Sequence, residues 1–315
     1  MRDIPQEFFW LFGSLIALLA IASTIGAVLL RRPGDQKKQA SRENLVARVN
    51  AWWGMVAILA VAFLTGPTMT LILFALASFF ALREFITLTP SREGDRLPLS
   101  LAFFVIIPAQ YVLIGLERYG VFAIFIPVYA FLLLPSIAAL RSDIEDFLSR
   151  TAKQQWALMV TVYCLSHAPA LLMLDLPGGK GESALLLFYL LLIVQMSDVM
   201  QYVFGKLFGR TKIAPLVSPS KTVEGFVGGG LAATAIGGAM WWITPFTPLE
   251  SAAVSAVIVL MGFLGGLTLS AVKRSLGAKD WGVMIEGHGG MLDRTDSICF
   301  AAPVFFHVVR FFYAA

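Results

Sequence analysis

Between Phe8 and Leu30 the chain carries no ionisable side chain at all. A helix of about 20 apolar residues spans the hydrocarbon core of a bilayer, and little else can satisfy the backbone of so long an apolar run. The pattern recurs. Apolar runs follow at about Trp52–Leu64, Thr68–Ile86, Leu97–Leu116, Val121–Leu140, Trp156–Met173, Ser183–Phe204, Phe226–Ile243, Ser251–Leu269 and Ile298–Phe312. This spacing predicts an all-α fold, a polytopic integral membrane helix bundle of about ten transmembrane helices. The chain is 58% hydrophobic and only 14% charged, whereas soluble domains carry roughly 25% charged residues. No basic segment precedes the first run, so it is expected to stay as a helix rather than be cleaved as a signal peptide.

The loops between the runs are asymmetric. Of the 24 Lys and Arg, only Arg2, Arg118, Lys180 and Arg310 fall outside one alternating set of loops. The positive-inside tendency places that rich set in the cytoplasm and both termini outside, as expected of a cell (inner) membrane protein. Residues 1–182 are expected to form an N-terminal group of membrane helices. Residues 183–315 are expected to form a catalytic membrane region whose two motif loops share the cytoplasmic side. The net charge of +4 comes with no long basic, aromatic-interleaved run, which argues against nucleic acid as a partner. Cys164 and Cys299 lie in apolar surroundings and suggest neither a disulfide framework nor a zinc site.

The most polar passage runs from Ser270 to Ser297. It sets Lys273, Arg274, Lys279 and Arg294 against Asp280, Glu286, Asp293 and Asp296, with His288, Gly287, Gly289 and Gly290 between them. Charges at a bilayer are costly and usually mark function. Spaced carboxylates hold a metal ion and cations hold phosphate oxygens, which is the chemistry a nucleotide phosphate needs. Asp293 and Asp296 share a face if helical, and Asp280 can fold back across the glycines. A solvated loop would be the plainer reading. A second loop reads Ser218-Pro219-Ser220-Lys221-Thr222-Val223-Glu224-Gly225, then Gly228, Gly229 and Gly230. Hydroxyls, a lysine and a glycine-rich helix start suit an anion, or simply a helix capped by Thr222 or Ser220. It is not a P-loop. Asp198 stands inside an apolar run, in a polar stripe with Gln195, Ser197 and Tyr202. Lys206, Arg210 and Lys212 follow, suited to phosphate or to setting topology. His167 and His307 read as hydrogen-bonded core histidines, and Arg83 with Glu84 as a solvated interfacial pair.

These residues resemble the CDP-diacylglycerol synthases (phosphatidate cytidylyltransferases). The resemblance lies in Ser270, Lys273, Arg274, then Lys279 and Asp280, then His288, Gly289 and Gly290, then Asp293, Arg294 and Asp296. It continues in Ser218, Pro219, Lys221, Thr222, Glu224 and Gly225, in Asp198, and in the glycines and cations of Gly205 to Arg210. It covers roughly the last third of the chain, in a signature too long for chance. Glu286, Thr295 and the pair Gln201 and Tyr202 depart from the family's pattern, but no charged signature residue is lost. The resemblance implies transfer of cytidylyl from CTP to phosphatidic acid, with Mg²⁺ and room for a second metal ion, among membrane lipids and in a homodimer.

On this reading Asp198, Asp280, Asp293 and Asp296 hold metal. Lys279, Arg294 and His288 join those last three carboxylates in catalysis. Ser218, Lys221, Thr222, Lys273, Arg274, Lys206 and Arg210 bind substrate. Two other functions fit the same residues less closely: a CTP-dependent lipid-alcohol kinase, and a transporter that binds an anion without turnover.

Overall fold

The computed structural model describes residues 6–31, 35–177, 180–284 and 289–314. The first helices are α1 (Gln6–Leu30), α2 (Gln36–Thr65), α3 (Pro67–Thr87), α4 (Glu93–Gly115), α5 (Tyr119–Ala139) and α6 (Phe147–Met173). Then come α7 (Lys180–Phe208), the strands β1 (Lys212–Ala214) and β2 (Ser218–Thr222), α8 (Val223–Ala239), α9 (Pro248–Ser275) and α10 (Leu292–Phe312). Among the described residues, eight of these helices are long and apolar enough to cross a membrane. Two of the ten expected spans are shorter: the apolar half of α2, Val49–Thr65, and the 17-residue α8. The expected polytopic helical bundle is therefore what forms. The second motif loop is more ordered than its sequence suggests, because β1 and β2 pair antiparallel with Lys212 opposite Thr222 and Ala214 opposite Ser218.

Helix starts follow local chemistry. Gly66, at φ 106°, turns the chain into α3, where Pro67 sits at a position that needs no donor. Thr247 and Glu250 form a reciprocal capping box ahead of Pro248 at the start of α9. Glycines set the packing distances of the C-terminal half. A side chain at Gly229 would collide with the backbone of Gln201, and one at Gly225 with Gly205, so α7 and α8 lie backbone to backbone. Gly265 presses likewise on Asp296 O and Phe300, which brings α9 onto α10.

The core is continuous. Phe8 of α1 meets Phe63 of α2 at 5.4 Å between ring centroids, and Phe12 meets Phe188 of α7 at 5.5 Å. α6 is the most enclosed span. His167 within it is fully buried and its Nδ1 bonds to Tyr163 O at 2.8 Å. Two loops at one end are tied by charge. Arg150, 5% exposed, donates to Asp95 at 3.0 Å and to Asp143 at 3.2 Å, while Arg92 pairs with Asp143 and Glu145.

Candidate functional site

The C-terminal ends of α3, α7 and α9 and the N-terminal ends of α8 and α10 meet at one end of the bundle. Both motif loops lie there. The hairpin of β1 and β2 folds back from α7, and its last residue, Thr222, becomes the cap of α8. Thr222 Oγ1 accepts the Gly225 N–H at 3.1 Å, and the residue is 3% exposed between Gly205, Gly209 and Gly225. Its hydroxyl is thus engaged in building the helix. Ser218, at the other end of β2, is half-buried.

Lys221, next to that cap, turns inward. Its Nζ lies 4.6 Å from the ring centroid of Phe263 on α9. A methyl group at Gly266 would stand 3.0 Å from Lys221 Nζ, 3.4 Å from Ser297 Oγ and 3.6 Å from Asp296 Oδ2. Those three groups therefore line one small space beside Gly266. Ser297 Oγ donates to Asp198 Oδ2 of α7 at 3.2 Å, and the Ser297 N–H donates to Asp296 Oδ1 at 2.7 Å. Four separate elements thus converge: α7 through Asp198, β2 through Lys221, α9 through Gly266, and α10 through Asp296 and Ser297. Burial pushes the Lys221 ammonium below its ordinary pKa, and the charges of Asp198 and Asp296 pull it back up. Arg294, one turn before Ser297, has a buried Nε that meets no hydrogen-bond partner among the described residues. A guanidinium so placed retains donors for an incoming anion.

Asp293 is differently employed. Its Oδ1 pairs with Lys273 at 2.5 Å, and its Oδ2 accepts the N–H of Trp281 at 2.8 Å and of Gly290 at 2.9 Å. It closes the loop between α9 and α10 upon itself, with Gly289 at φ 80° making the turn. Glu84 completes the closure. The sequence suggested a solvated pair with Arg83. Instead Glu84 reaches from α3 to accept the N–H groups of Met291 and Leu292, each at 2.8 Å. Trp281, 3% exposed, stacks on the neighbouring Phe85 with ring centroids 5.1 Å apart. No local sequence cue separates Glu84 from other charges at helix ends. Ser297 was more legible, since it directly follows Asp296.

The remaining candidates spread outward. Lys279 and Asp280 are exposed on the loop. Arg274 steadies the hairpin, donating to Val217 O at 3.5 Å and to Ala278 O at 3.2 Å. Lys206 is exposed and sits 5.8 Å from the centroid of the Tyr202 ring, and the side chain of Arg210 is exposed. The polar stripe of α7 divides, because Ser197 is buried and accepts from Gln201 Nε2 at 2.6 Å while Tyr202 faces outward. His288 and Glu286 lie outside the described residues.

Asp198 and Asp296 form the paired carboxylates of this end. Among the described residues no three His, Cys, Asp or Glu side chains converge on one point. Two carboxylates with a hydroxyl between them are an oxygen-only donor set. That set fits Mg²⁺, which binds through one or two carboxylates and completes its shell with water and substrate phosphate.

Comparison with known proteins identifies the family of this chain. Residues 46–312 match the cytidylyltransferase family. The chain is 39% identical to the uncharacterised protein YnbB of Escherichia coli (strain K12) over 95% of its own length and 97% of that protein's. It is 39% identical over 127 residues to a phosphatidate cytidylyltransferase of Staphylococcus aureus (strain COL), which is 40% of this chain and 49% of that one. A phosphatidate cytidylyltransferase of Staphylococcus haemolyticus is 31% identical over 157 residues, 49% of this chain and 60% of that one. The chain thus matches about half the length of these staphylococcal relatives. With the greater part of its length matched, the chain belongs to the cytidylyltransferase family.

Proposed function

We propose that this protein transfers a cytidylyl group from CTP to phosphatidic acid, forming CDP-diacylglycerol and pyrophosphate. The observation that carries the reading is the convergence of Asp198, Lys221, Asp296 and Ser297 about Gly266, beside Arg294, whose Nε has no hydrogen-bond partner among the described residues. A phosphate oxygen of the lipid attacks the α-phosphorus of CTP. A new P–O bond forms there, the bond to the β-phosphate bridging oxygen breaks, and pyrophosphate leaves with that electron pair. The attacking oxygen is already anionic, so the site has no need of a strong general base. Its work is positioning and charge neutralisation.

In this reading Asp198 and Asp296 would hold Mg²⁺, whereas Asp280 lies exposed on the loop, apart from them. When bound, that ion supplies charge neutralisation at the phosphoryl oxygens. Lys221 and Arg294 hold the CTP phosphates, because they are the cations that face the carboxylate pair. Lys273 and Asp293 keep the loop in place. The twofold nature of the substrates, one confined to lipid and one soluble, suits a site at the base of a helix bundle. The bias of Lys and Arg supports a cytoplasmic site in the cell membrane with both termini outside. The resemblance supports a homodimer.

The test uses purified protein in mixed micelles with phosphatidic acid, Mg²⁺ and CTP labelled at either the α- or the γ-phosphorus. The α-label should enter the lipid and the γ-label should leave as pyrophosphate. Entry of the γ-label into lipid would mean a lipid kinase instead. In sealed vesicles holding the same protein, flux of an anion with no nucleotide consumed would mean a transporter.

A further inference from the structure

Three consecutive backbone N–H groups, those of Gly290, Met291 and Leu292, point out of the start of α10. Successive amides at a helix N-terminus make a ready seat for an anion, and the sequence places it beside residues suited to phosphate. That seat is filled by the protein itself. Asp293 takes the first N–H and Glu84 takes the next two, each at 2.8 Å. Glu84 belongs to α3, more than two hundred residues away in sequence and outside the motifs that define the site. Its fit is close. A side chain at Gly290 would collide with its carboxylate, and one at Gly282 would come within 2.8 Å of Glu84 Oε1. Both glycines leave the room that the carboxylate fills, next to Phe85 with Trp281 stacked upon it.

We infer that Glu84 is a positioning residue for the reaction. It occupies the anion seat of α10 with an internal carboxylate and so directs substrate phosphate to Lys221 and Arg294 instead. It also fixes the first turn of α10, which carries Arg294 and Asp296 toward the other elements. This assignment rests on the reading of the site as one for nucleotide phosphate. The physical argument is competition. A fixed carboxylate at the seat excludes a phosphate by occupancy and by like charge, and loss of that carboxylate leaves two partly buried amides seeking an acceptor.

The test uses the full chain in detergent, with Glu84→Ala and Glu84→Gln. The first readout is hydrogen exchange of the amides at 290–292, with inorganic phosphate as the probe. Wild-type amides should exchange slowly and ignore phosphate. In Glu84→Ala they should exchange roughly tenfold faster or more, and phosphate should restore protection. Glu84→Gln keeps the shape but not the charge, and should show the same response in smaller measure. The second readout is turnover of CTP. For Glu84→Ala, kcat should fall roughly 10²-fold, while KM for CTP should stay within about threefold. Inorganic phosphate should become an inhibitor of the variant at concentrations that leave the wild type unaffected. If Glu84→Ala does not fold, Glu84→Gln decides by the same readouts. Amides that exchange faster but ignore phosphate would reduce Glu84 to a packing residue and overturn the inference. Wild-type exchange and wild-type kcat in both variants would do the same. Should the wild type itself fail to consume CTP, the reading of the site falls, yet the exchange and phosphate arms still decide the role of Glu84.

Discussion

Gly266 carries more information than its size suggests. A methyl group there would press on Lys221 Nζ and fill the space between it, Ser297 Oγ and Asp296 Oδ2. Gly266→Ala should therefore cut turnover roughly 10²-fold by shifting groups that must be placed to within an ångström. The protein should still insert and melt near the wild-type temperature, and steady-state kinetics beside a thermal melt checks both halves. Thr222 makes the opposite case. Its hydroxyl caps α8 from a buried position, so Thr222→Ala should cost about 1 kcal/mol of stability and leave KM for CTP unchanged. A KM that rises with no loss of stability would instead give Thr222 to the substrate. These two residues show where sequence reading succeeds and stops. Residue type and spacing revealed Lys221, Asp198 and Asp296 as chemistry. They left Thr222 open between a helix cap and an anion ligand, and could not tell that Asp293 faces structural amides, because one of its partners is Trp281 across the loop. Glu84 was invisible for the same reason, its partners lying on the far side of the sequence.

At the scale of elements, helices were legible because each needs only a long apolar run and a polar break. α8 is one of two short spans, and its glycines Gly225 and Gly229 let it lie directly on α7. The hairpin of β1 and β2 was not legible, since its strands are short, polar and half-exposed. The loops before α4 and α6 are joined by Arg150, buried between Asp95 and Asp143. Asp95→Asn removes one charged partner while Asp143 keeps the other, so it should destabilise by about 2 kcal/mol, read from chemical or thermal unfolding in detergent. Asp143 adds a pH dependence. Burial tends to raise its pKa, but the hydrogen bond from Arg92 and the charge of Arg150 outweigh it and hold the carboxylate below the ordinary aspartate range. A depressed folded pKa gives stability that is present above the ordinary aspartate value and lost as pH falls through the lowered one. Wild type and Asp143→Asn should therefore differ in melting temperature at neutral pH and converge on strong acidification. A gap that persists at low pH would show that the contribution is not ionic.

Across the whole molecule, the proposed reaction requires a membrane-held reactant and a soluble one to meet at one end of the helix bundle. The helix ends that form the site come from both halves of the chain, α3 among them, so residues 1–182 supply more than anchorage through Glu84. Membership of the cytidylyltransferase family fits this arrangement. The central claim is that Asp198 and Asp296 grip a divalent ion that carries CTP to a lipid phosphate. The most direct measurement is CDP-lipid formation by Asp198→Asn and Asp296→Asn, each titrated with Mg²⁺ from depletion to saturation. Each variant should lose roughly 10³-fold or more of the wild-type rate even at saturating Mg²⁺, while remaining inserted and folded. Near-wild-type rates at saturating Mg²⁺ in either variant, or wild-type turnover that persists without any divalent ion, would contradict the account.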